Sequence, residues 1–285
     1  MTTDANSATE SATAATAMIL SDLAEPDHKA VVVDSPPGAG KSTLVVSAAG
    51  HLVECKIIVG TSAKWATVQD CKFGWAILDE SYQMRSDMLL QIVERFDRGL
   101  FVGDPGQLDP FTIVGTERWI GLSHDPTQNG VTVMLEHNPT VPVRQLPVSW
   151  RLPTTAAPII SEAFYPFTEF AAGTEEGTRS LEFQTAGLGN TDLDETLAMA
   201  FTTGWALHEL PRRHVPRTDA ETIQTAAHLA SRLLDRGAVA TCERHRDGRV
   251  LRASDIAIGV AHRDQADLVR TALARTGNLR SGENL

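Results

Sequence analysis

The segment VVVDSPPGAGKST, residues 31–43, decides how the rest of the sequence is interpreted. Three valines favour a buried β-strand, the stretch 35–40 favours a tight loop, and the apolar run after Lys41 favours a helix. Loop glycines let backbone N–H groups converge on phosphate oxygens, and a helix N-terminus attracts the same negative charge. The order of these elements predicts a phosphate-binding loop, and the alternative is a chance Gly/Pro turn before a helix.

The pattern G-x-x-x-x-G-K-[ST] gives each position of this loop a role. Its first glycine falls at Ser35, a small residue that is compatible with a turn. Lys41 would neutralise the β- and γ-phosphates, and Ser42 would help to hold Mg²⁺. The expected cofactors are therefore ATP and Mg²⁺. The residues expected to contact the nucleotide in this loop are Pro37, Gly38, Ala39, Gly40, Lys41, Ser42 and Thr43.

Composition limits the class of protein. Of the 285 residues, 42% are hydrophobic and 21% charged, as in globular proteins. Three widely spaced cysteines, Cys55, Cys71 and Cys242, favour reduced thiols and a cytoplasmic location. No segment approaches the ~20 apolar residues of a membrane span, so no membrane partner is expected. Residues 1–26 are expected to form a disordered or helical N-terminal tail.

Charge is distributed unevenly along the chain. The net charge of −11 argues against a protein that coats nucleic acid. Residues 1–150 carry 10 Lys+Arg against 18 Asp+Glu, whereas residues 211–285 carry 13 Arg against 9 Asp+Glu. These arginines suit contacts with phosphates as well as ordinary solvated helix faces.

Strand and helix signals alternate after the loop. Apolar, β-branched runs predict strands at 55–61, 76–80 and 100–104, and helices are expected at 42–49 and 87–96. This alternation predicts a doubly wound α/β core with a mainly parallel sheet. Ligands of such sheets bind beyond the carboxyl ends of the strands.

A second domain is expected after a turn-rich connection. The predicted limits are 27–150 for the first domain and 151–285 for the second, which we expect to be a partial α/β nucleotide fold. The signals are a helix from a capping box at 218–221, a hairpin turn at Asp247-Gly248, a strand at 256–260 and a final helix at 264–274.

Asp79 and Glu80 follow an apolar strand, as in a Walker B motif. Phosphoryl transfer to water needs one carboxylate near Mg²⁺ and a second group that orients the attacking water. We assign Asp79 to the metal and Glu80 to the water. The alternative is a solvated strand end.

The DESYQ segment at 79–83 resembles the D-E-x-x-Q motif of superfamily 1 helicases, and the resemblance covers residues 30–265. This motif and the segment at 255–265 favour the Upf-like branch. The other matching segments are VGDPGQLDP at 102–110 for motif III, SWRLP at 149–153 for motif IV and DIAIGVAHRDQ at 255–265 for a segment of the second domain. The resemblance implies two RecA-like domains, the second one incomplete here, and a P-loop NTPase activity.

The resemblance also implies roles for three further residues. Gln107 would sense the γ-phosphate, the alternative being an amide that stabilises the turn. Arg151 would reach the γ-phosphate from the second domain as an arginine finger, the alternative being a structural arginine. His262 falls where the family often has a tyrosine that stacks on adenine.

Some family motifs are not found. No segment between Gly50 and Cys55 matches motif Ia, and motifs V and VI would lie beyond Leu285. We therefore expect a truncated helicase core, completed by a C-terminal helicase half or a fused nuclease partner. The expected activity is ATP hydrolysis coupled to binding of, or translocation on, single-stranded DNA or RNA. The alternative is a nucleotide-binding module without motor activity, and the motif III and IV matches disfavour a small-molecule P-loop kinase.

Overall fold

The computed structural model describes residues 5–52, 57–68, 71–111, 115, 117–119, 125–184, 191–213 and 217–276. The chain divides into two compact units, Met1–Thr174 and Glu175–Leu285. The helices of the first unit are α1 (Ala5–Ala24), α2 (Lys41–Leu52), α3 (Ser62–Thr67), α4 (Ser86–Ile92), α5 (Gly130–His137) and α6 (Ala157–Phe164). Its strands are β1 (Ala30–Asp34), β2 (Phe73–Leu78), β3 (Phe96–Gly103), β4 (Val143–Gln145), β5 (Val148–Ser149) and β6 (Ala171–Ala172).

A four-stranded parallel sheet forms the core of the first unit, in the order β2-β3-β1-β4. Successive side chains of β1 point to opposite faces of this sheet. Val31 and Val33 pack with α1 and α2, whereas Val32 packs with α4 and α5, and all three are fully buried. The first unit is therefore a mixed α/β fold with helices on both faces of a parallel sheet, which confirms the predicted class.

Helix α1 belongs to this core. Its Ile19 and Leu23 are fully buried against the sheet. Arg98 of β3 donates hydrogen bonds to the carbonyl oxygens of Leu23, Glu25 and His28, where the chain leaves the helix. The helical form of the expected N-terminal tail is thus the one observed for residues 5–24.

One predicted strand of the first unit is wrong, and one predicted helix is present but ends early. Residues 57–61 form no strand, and Ile57 to Val59 are exposed; positions 55 and 56 lie outside the described residues. The helix expected at 87–96 ends at Ile92, and β3 begins at Phe96. Gly99 lies inside β3, where a Cβ would come within 2.7 Å of the Phe101 ring, so this position favours a residue without a side chain.

The second unit contains helices α7 (Asp192–Thr203), α8 (Ala220–Asp235) and α9 (Arg263–Arg275), and strands β7 (Ser180–Glu182), β8 (Val239–Cys242) and β9 (His245–Val250). Its sheet is antiparallel, in the order β7-β8-β9. Helices α8 and α9 pack on each other through buried residues such as Ala227 and Val269.

The predicted details of this unit hold only in part. The final helix is present, but residues 256–260 form no strand, and Asp247-Gly248 lies within β9. The hairpin turn is at Glu243-Arg244 instead. A second RecA-like domain is not confirmed, because the sheet in the described part of this unit is antiparallel.

Among the residues that the structure describes, no helix is long and apolar enough to cross a membrane.

Candidate nucleotide-binding site

The loop at 35–40 connects β1 to α2, as the sequence predicts, and its shape depends on two glycines. Gly38 has φ +72° and Gly40 has φ +88°, conformations that side chains rarely adopt. Ser35 is fully buried, and its backbone N–H donates to the carbonyl oxygen of Gly103 at 2.9 Å. The loop therefore accepts serine where the pattern has its first glycine, and it ends on the first turn of α2 at Lys41.

Lys41 contacts Glu80 directly. Its Nζ lies 2.9 Å from Oε1 and 3.1 Å from Oε2 of the carboxylate, across 39 positions of sequence. Glu80 follows β2 and has φ 53°, the one positive φ of a non-glycine residue in the described ranges. Its backbone N–H donates to Asp79 Oδ1 at 3.0 Å. The structure thus brings together the lysine of the loop and the proposed catalytic carboxylate.

The residue next to each partner of this ion pair carries an oxygen ligand suited to Mg²⁺. Ser42 lies in the first turn of α2, and Asp79 comes directly after β2; both side chains are exposed. Mg²⁺ in phosphate sites takes one or two protein oxygens and fills its other positions with phosphate and water. A hydroxyl and a carboxylate therefore fit the metal that the sequence predicts.

The turn after β3 is organised by Asp104. Its carboxylate is almost fully buried and accepts hydrogen bonds from the Gly106 N–H at 3.0 Å and from Gln107 Nε2 at 3.1 Å. Gln107 Oε1 accepts a hydrogen bond of 2.6 Å from Gln83 Nε2. The predicted sensor Gln107 is thereby joined to the segment that follows Glu80.

Arg151 lies beside the loop within the first unit, although the sequence placed it in the second domain. A Cβ on Gly38 would come within 2.2 Å of Arg151 Cβ, so the two backbones are in close contact. Trp150 N–H donates to the Gly38 carbonyl oxygen at 3.0 Å, and Ser149 Oγ donates to that of Pro37 at 2.6 Å. These bonds attach the arginine segment to the loop.

A cavity of about 430 Å³ opens beside the loop. It is lined by one side of α1, by the first turns of α2 and by the segment 146–150. Trp150 supplies an aromatic ring, and Gly40 and Thr43 connect the cavity to the loop. Nothing in the residue pattern indicates this cavity, because the packing of α1 beside the loop leaves no local sequence signal.

Asp34 and Tyr82 form a second contact at the same edge of the sheet. The tyrosine hydroxyl donates to Asp34 Oδ1 at 2.6 Å. Burial raises the pKa of the Asp34 carboxyl, the hydrogen bond from Tyr82 opposes that rise, and the charge of Asp104 adds to it. Burial and the bond to Asp34 raise the pKa of Tyr82, so this hydroxyl keeps its proton. The pair joins the end of β1 to the segment after β2.

His262 is the one predicted site residue in the second unit. It precedes α9, and the carbonyl of the Gln265 side chain accepts a hydrogen bond from its backbone N–H at 3.1 Å. A contact with a nucleotide base stays a prediction for this residue.

Among the described residues, no cluster of three or more His, Cys, Asp or Glu side chains is arranged to hold a metal ion.

Comparison with known proteins adds little to these observations. No protein-family model and no curated protein matches the chain. Among solved structures, "The structure of PRRSV helicase" aligns with a TM-score of 0.34 and 12% identity, covering 93% of this chain and 70% of that chain. A TM-score this low does not indicate a shared function, so the functional assignment depends on the residues of the site.

Proposed function

We propose that the chain binds ATP with Mg²⁺ on the loop at 35–43 and hydrolyses it as a helicase-type NTPase. The observation that carries this proposal is the contact between Lys41 and Glu80, which joins the loop to the carboxylates after β2. Both lie at the carboxyl ends of parallel strands, where ligands of such sheets bind. A chance Gly/Pro turn before a helix would not require an acidic partner such as Glu80 for Lys41.

Each side chain of the site has a proposed task. Lys41 exchanges Glu80 for the β- and γ-phosphates, and Glu80 then orients the attacking water. Ser42 and Asp79 hold Mg²⁺, which when bound neutralises charge on the phosphate oxygens. Gln107 contacts the γ-phosphate, and Arg151 stabilises the charge that develops in the transition state. An arginine in that role raises the rate by ~10³–10⁵.

The cavity beside the loop is the proposed place for the nucleoside. Phosphates held at Gly40 and Thr43 leave the base and ribose next to this cavity, whose volume of about 430 Å³ suits them. The ring of Trp150 offers an aromatic face for the base. Trp150 is thus a second candidate for the base contact that the resemblance assigned to His262.

Single-stranded DNA or RNA is the proposed polymer partner, and membership of the Upf-like branch of superfamily 1 is part of the same proposal. Both depend on the motifs at 79–83, 102–110, 149–153 and 255–265. The excess of arginine over acidic residues in 211–285 supports phosphate contacts in the second unit.

The second candidate function is a nucleotide-binding module without motor activity. The acidic first 150 residues favour it, with 10 Lys+Arg against 18 Asp+Glu, because this charge repels a polyanion. The two functions share the nucleotide site and differ in whether nucleic acid accelerates hydrolysis.

The test is ATP turnover with and without single-stranded DNA or RNA at low salt. We expect turnover that nucleic acid stimulates, a loss of ~10²–10⁴-fold in Glu80→Gln, and no turnover in Lys41→Ala. Lys72→Ala is the matched control, since Lys72 forms an exposed ion pair with Asp97 and should leave the rate unchanged. Nucleotide binding without stimulated turnover would support the second function. Equal nucleotide affinity in wild type and Lys41→Ala, or no binding by the wild-type chain, would contradict both.

A further inference from the structure

Tyr165 contacts the buried carboxylate that organises the turn after β3. Its hydroxyl donates to Asp104 Oδ2 at 3.0 Å, the same oxygen that accepts from Gln107 Nε2. Asp104 is 1% exposed and Tyr165 is 5% exposed. With the Gly106 N–H on Oδ1, three donors converge on one carboxylate. A buried carboxylate held on this many sides has little freedom to rotate.

The orientation of Asp104 determines the orientation of the Gln107 amide. A carboxylate only accepts hydrogen bonds, so Gln107 must turn its NH₂ group toward Asp104 and its oxygen away. That oxygen accepts from Gln83 Nε2 at 2.6 Å. One N–H of the Gln107 amide is used by Asp104, which leaves its second N–H as the donor that the amide can offer. A donor of this kind suits an acceptor such as a phosphate oxygen.

The surroundings of Tyr165 hold its hydroxyl in place. The residue directly follows α6, and its ring lies edge-on to Phe170 with the ring centres 5.3 Å apart. A Cβ on Gly106 would come within 2.5 Å of Tyr165 Cε1, so the ring packs on the backbone of the turn. Burial raises the pKa of Tyr165, and the hydrogen bond to Asp104 raises it further. The hydroxyl therefore remains a donor at neutral pH.

We infer that Tyr165 is a positioning residue for recognition of the γ-phosphate. Its hydroxyl fixes the Asp104 carboxylate, and through it the Gln107 amide, so that an N–H faces the terminal phosphate. This inference rests on the proposed function of the loop. It also gives α6 a structural role, because Tyr165 directly follows that helix and contacts the turn after β3.

The inference predicts a change in nucleotide selectivity. Without the hydroxyl, Asp104 keeps its other two bonds but loses one restraint, and Gln107 loses its preferred orientation. Affinity for a triphosphate should fall about tenfold, the effect of one hydrogen bond to a charged group, while ADP affinity stays within about twofold. A loss of packing alone would weaken both nucleotides together.

The experiment is calorimetric titration of the full chain with Mg²⁺-ATPγS and with Mg²⁺-ADP. The variants are Tyr165→Phe, Gln107→Ala, the double variant, and Phe170→Leu as the control that alters ring packing and keeps the hydroxyl. We expect Tyr165→Phe to lose the preference for the triphosphate, Phe170→Leu to keep it, and Tyr165→Phe to add nothing in the Gln107→Ala background.

Three results would overturn the inference while the proposed function stands. They are an unchanged preference in Tyr165→Phe, an equal loss in Phe170→Leu, and additive losses in the double variant. A wild-type chain that binds neither nucleotide would overturn the proposed function itself, and the inference with it.

Discussion

Glu80 holds a backbone conformation that glycine normally occupies, with φ 53° and ψ 39°. A left-handed conformation of this kind costs a non-glycine residue about 1–3 kcal/mol and persists where its surroundings impose it. Here the Asp79 carboxylate accepts the Glu80 N–H, and Lys41 holds its side chain. The strain lies at the proposed catalytic carboxylate, where the position of the side chain matters most.

The two glycines of the loop should respond differently to alanine. Both have positive φ, which costs alanine about 1–2 kcal/mol. A Cβ on Gly40 meets open space, whereas one on Gly38 would lie 2.2 Å from Arg151 Cβ. Gly38→Ala should therefore lower the free energy of unfolding by more than Gly40→Ala, measured by urea denaturation. Equal losses would contradict the close contact with Arg151.

Only some residues of the site could be predicted from the sequence. The loop and Asp79-Glu80 were found because their chemistry follows a local pattern of residue types. Tyr82 and Tyr165 were missed as contacts, because their carboxylate partners lie 48 and 61 positions away and only the fold brings them together. Tyr82 lies within the D-E-x-x-Q segment, but nothing in that segment indicates its hydrogen bond to Asp34.

At the scale of elements, an ion-pair cluster connects α7 to α8 in the second unit. Asp194 lies in the first turn of α7 and accepts from Arg232 at 2.8 Å and from Arg236 at 2.8 Å. Arg236 is 2% exposed, so the Asp194 carboxylate compensates a buried positive charge. Hydrogen bonds from the two arginines hold the pKa of Asp194 far below its ordinary value of 3.8.

Replacing Asp194 should destabilise the chain and change its response to acid. Asp194→Asn removes the carboxylate that accepts from the buried Arg236, and breaking a buried ion pair in this way costs about 3 kcal/mol. Because the folded-state pKa is lowered, the stabilisation is fully present above pH 3.8 and is lost as pH falls below that value. Urea denaturation between pH 3 and pH 7 measures both effects.

The control for this prediction is Asp192→Asn, an exposed acid in the same turn of α7. It should cost no more than about 1 kcal/mol, which is the typical contribution of an exposed acid to the helix dipole. The account of the cluster fails if the two variants are equally stable at pH 7.

The predicted limits of several helices, strands and turns were wrong because tertiary contacts outweighed the local conformational preferences of the residues. The apolar run 57–61 has the composition of a strand, but within the described ranges no strand pairs with it. The apolar stripe of 87–96 continues past Ile92 into a 3₁₀ turn, and Phe96 already pairs with β2. The second-unit hairpin turns at Glu243-Arg244, a dipeptide without the signal that Asp-Gly gives.

At the scale of the whole molecule, the sequence predicted the parallel core but not the second sheet. Strands β1 to β3 are largely apolar and separated by helices, and this alternation implies parallel pairing. Strands β7 and β8 have only three and four residues, and β9 (HRDGRV) is polar, so their pairing left no periodic signal. The resemblance to helicases therefore extended further along the sequence than the confirmed fold does.

The net charge of −11 does not decide whether an anion binds. Anion binding depends on the local field, and here Lys41 and the N-terminus of α2 face the loop while its glycines leave the backbone open. The central claim is thus local: the segment 35–43 holds the phosphates of a nucleotide.

The most direct test of that claim is the affinity for Mg²⁺-ATP, measured by calorimetry on wild type, Lys41→Ala and the control Lys72→Ala. We predict saturable binding in wild type and in the control, and a loss of about 10- to 100-fold in Lys41→Ala, since hydrogen bonds to a charged group are removed. Binding of equal strength in Lys41→Ala, or no binding by the wild-type chain, would contradict the account.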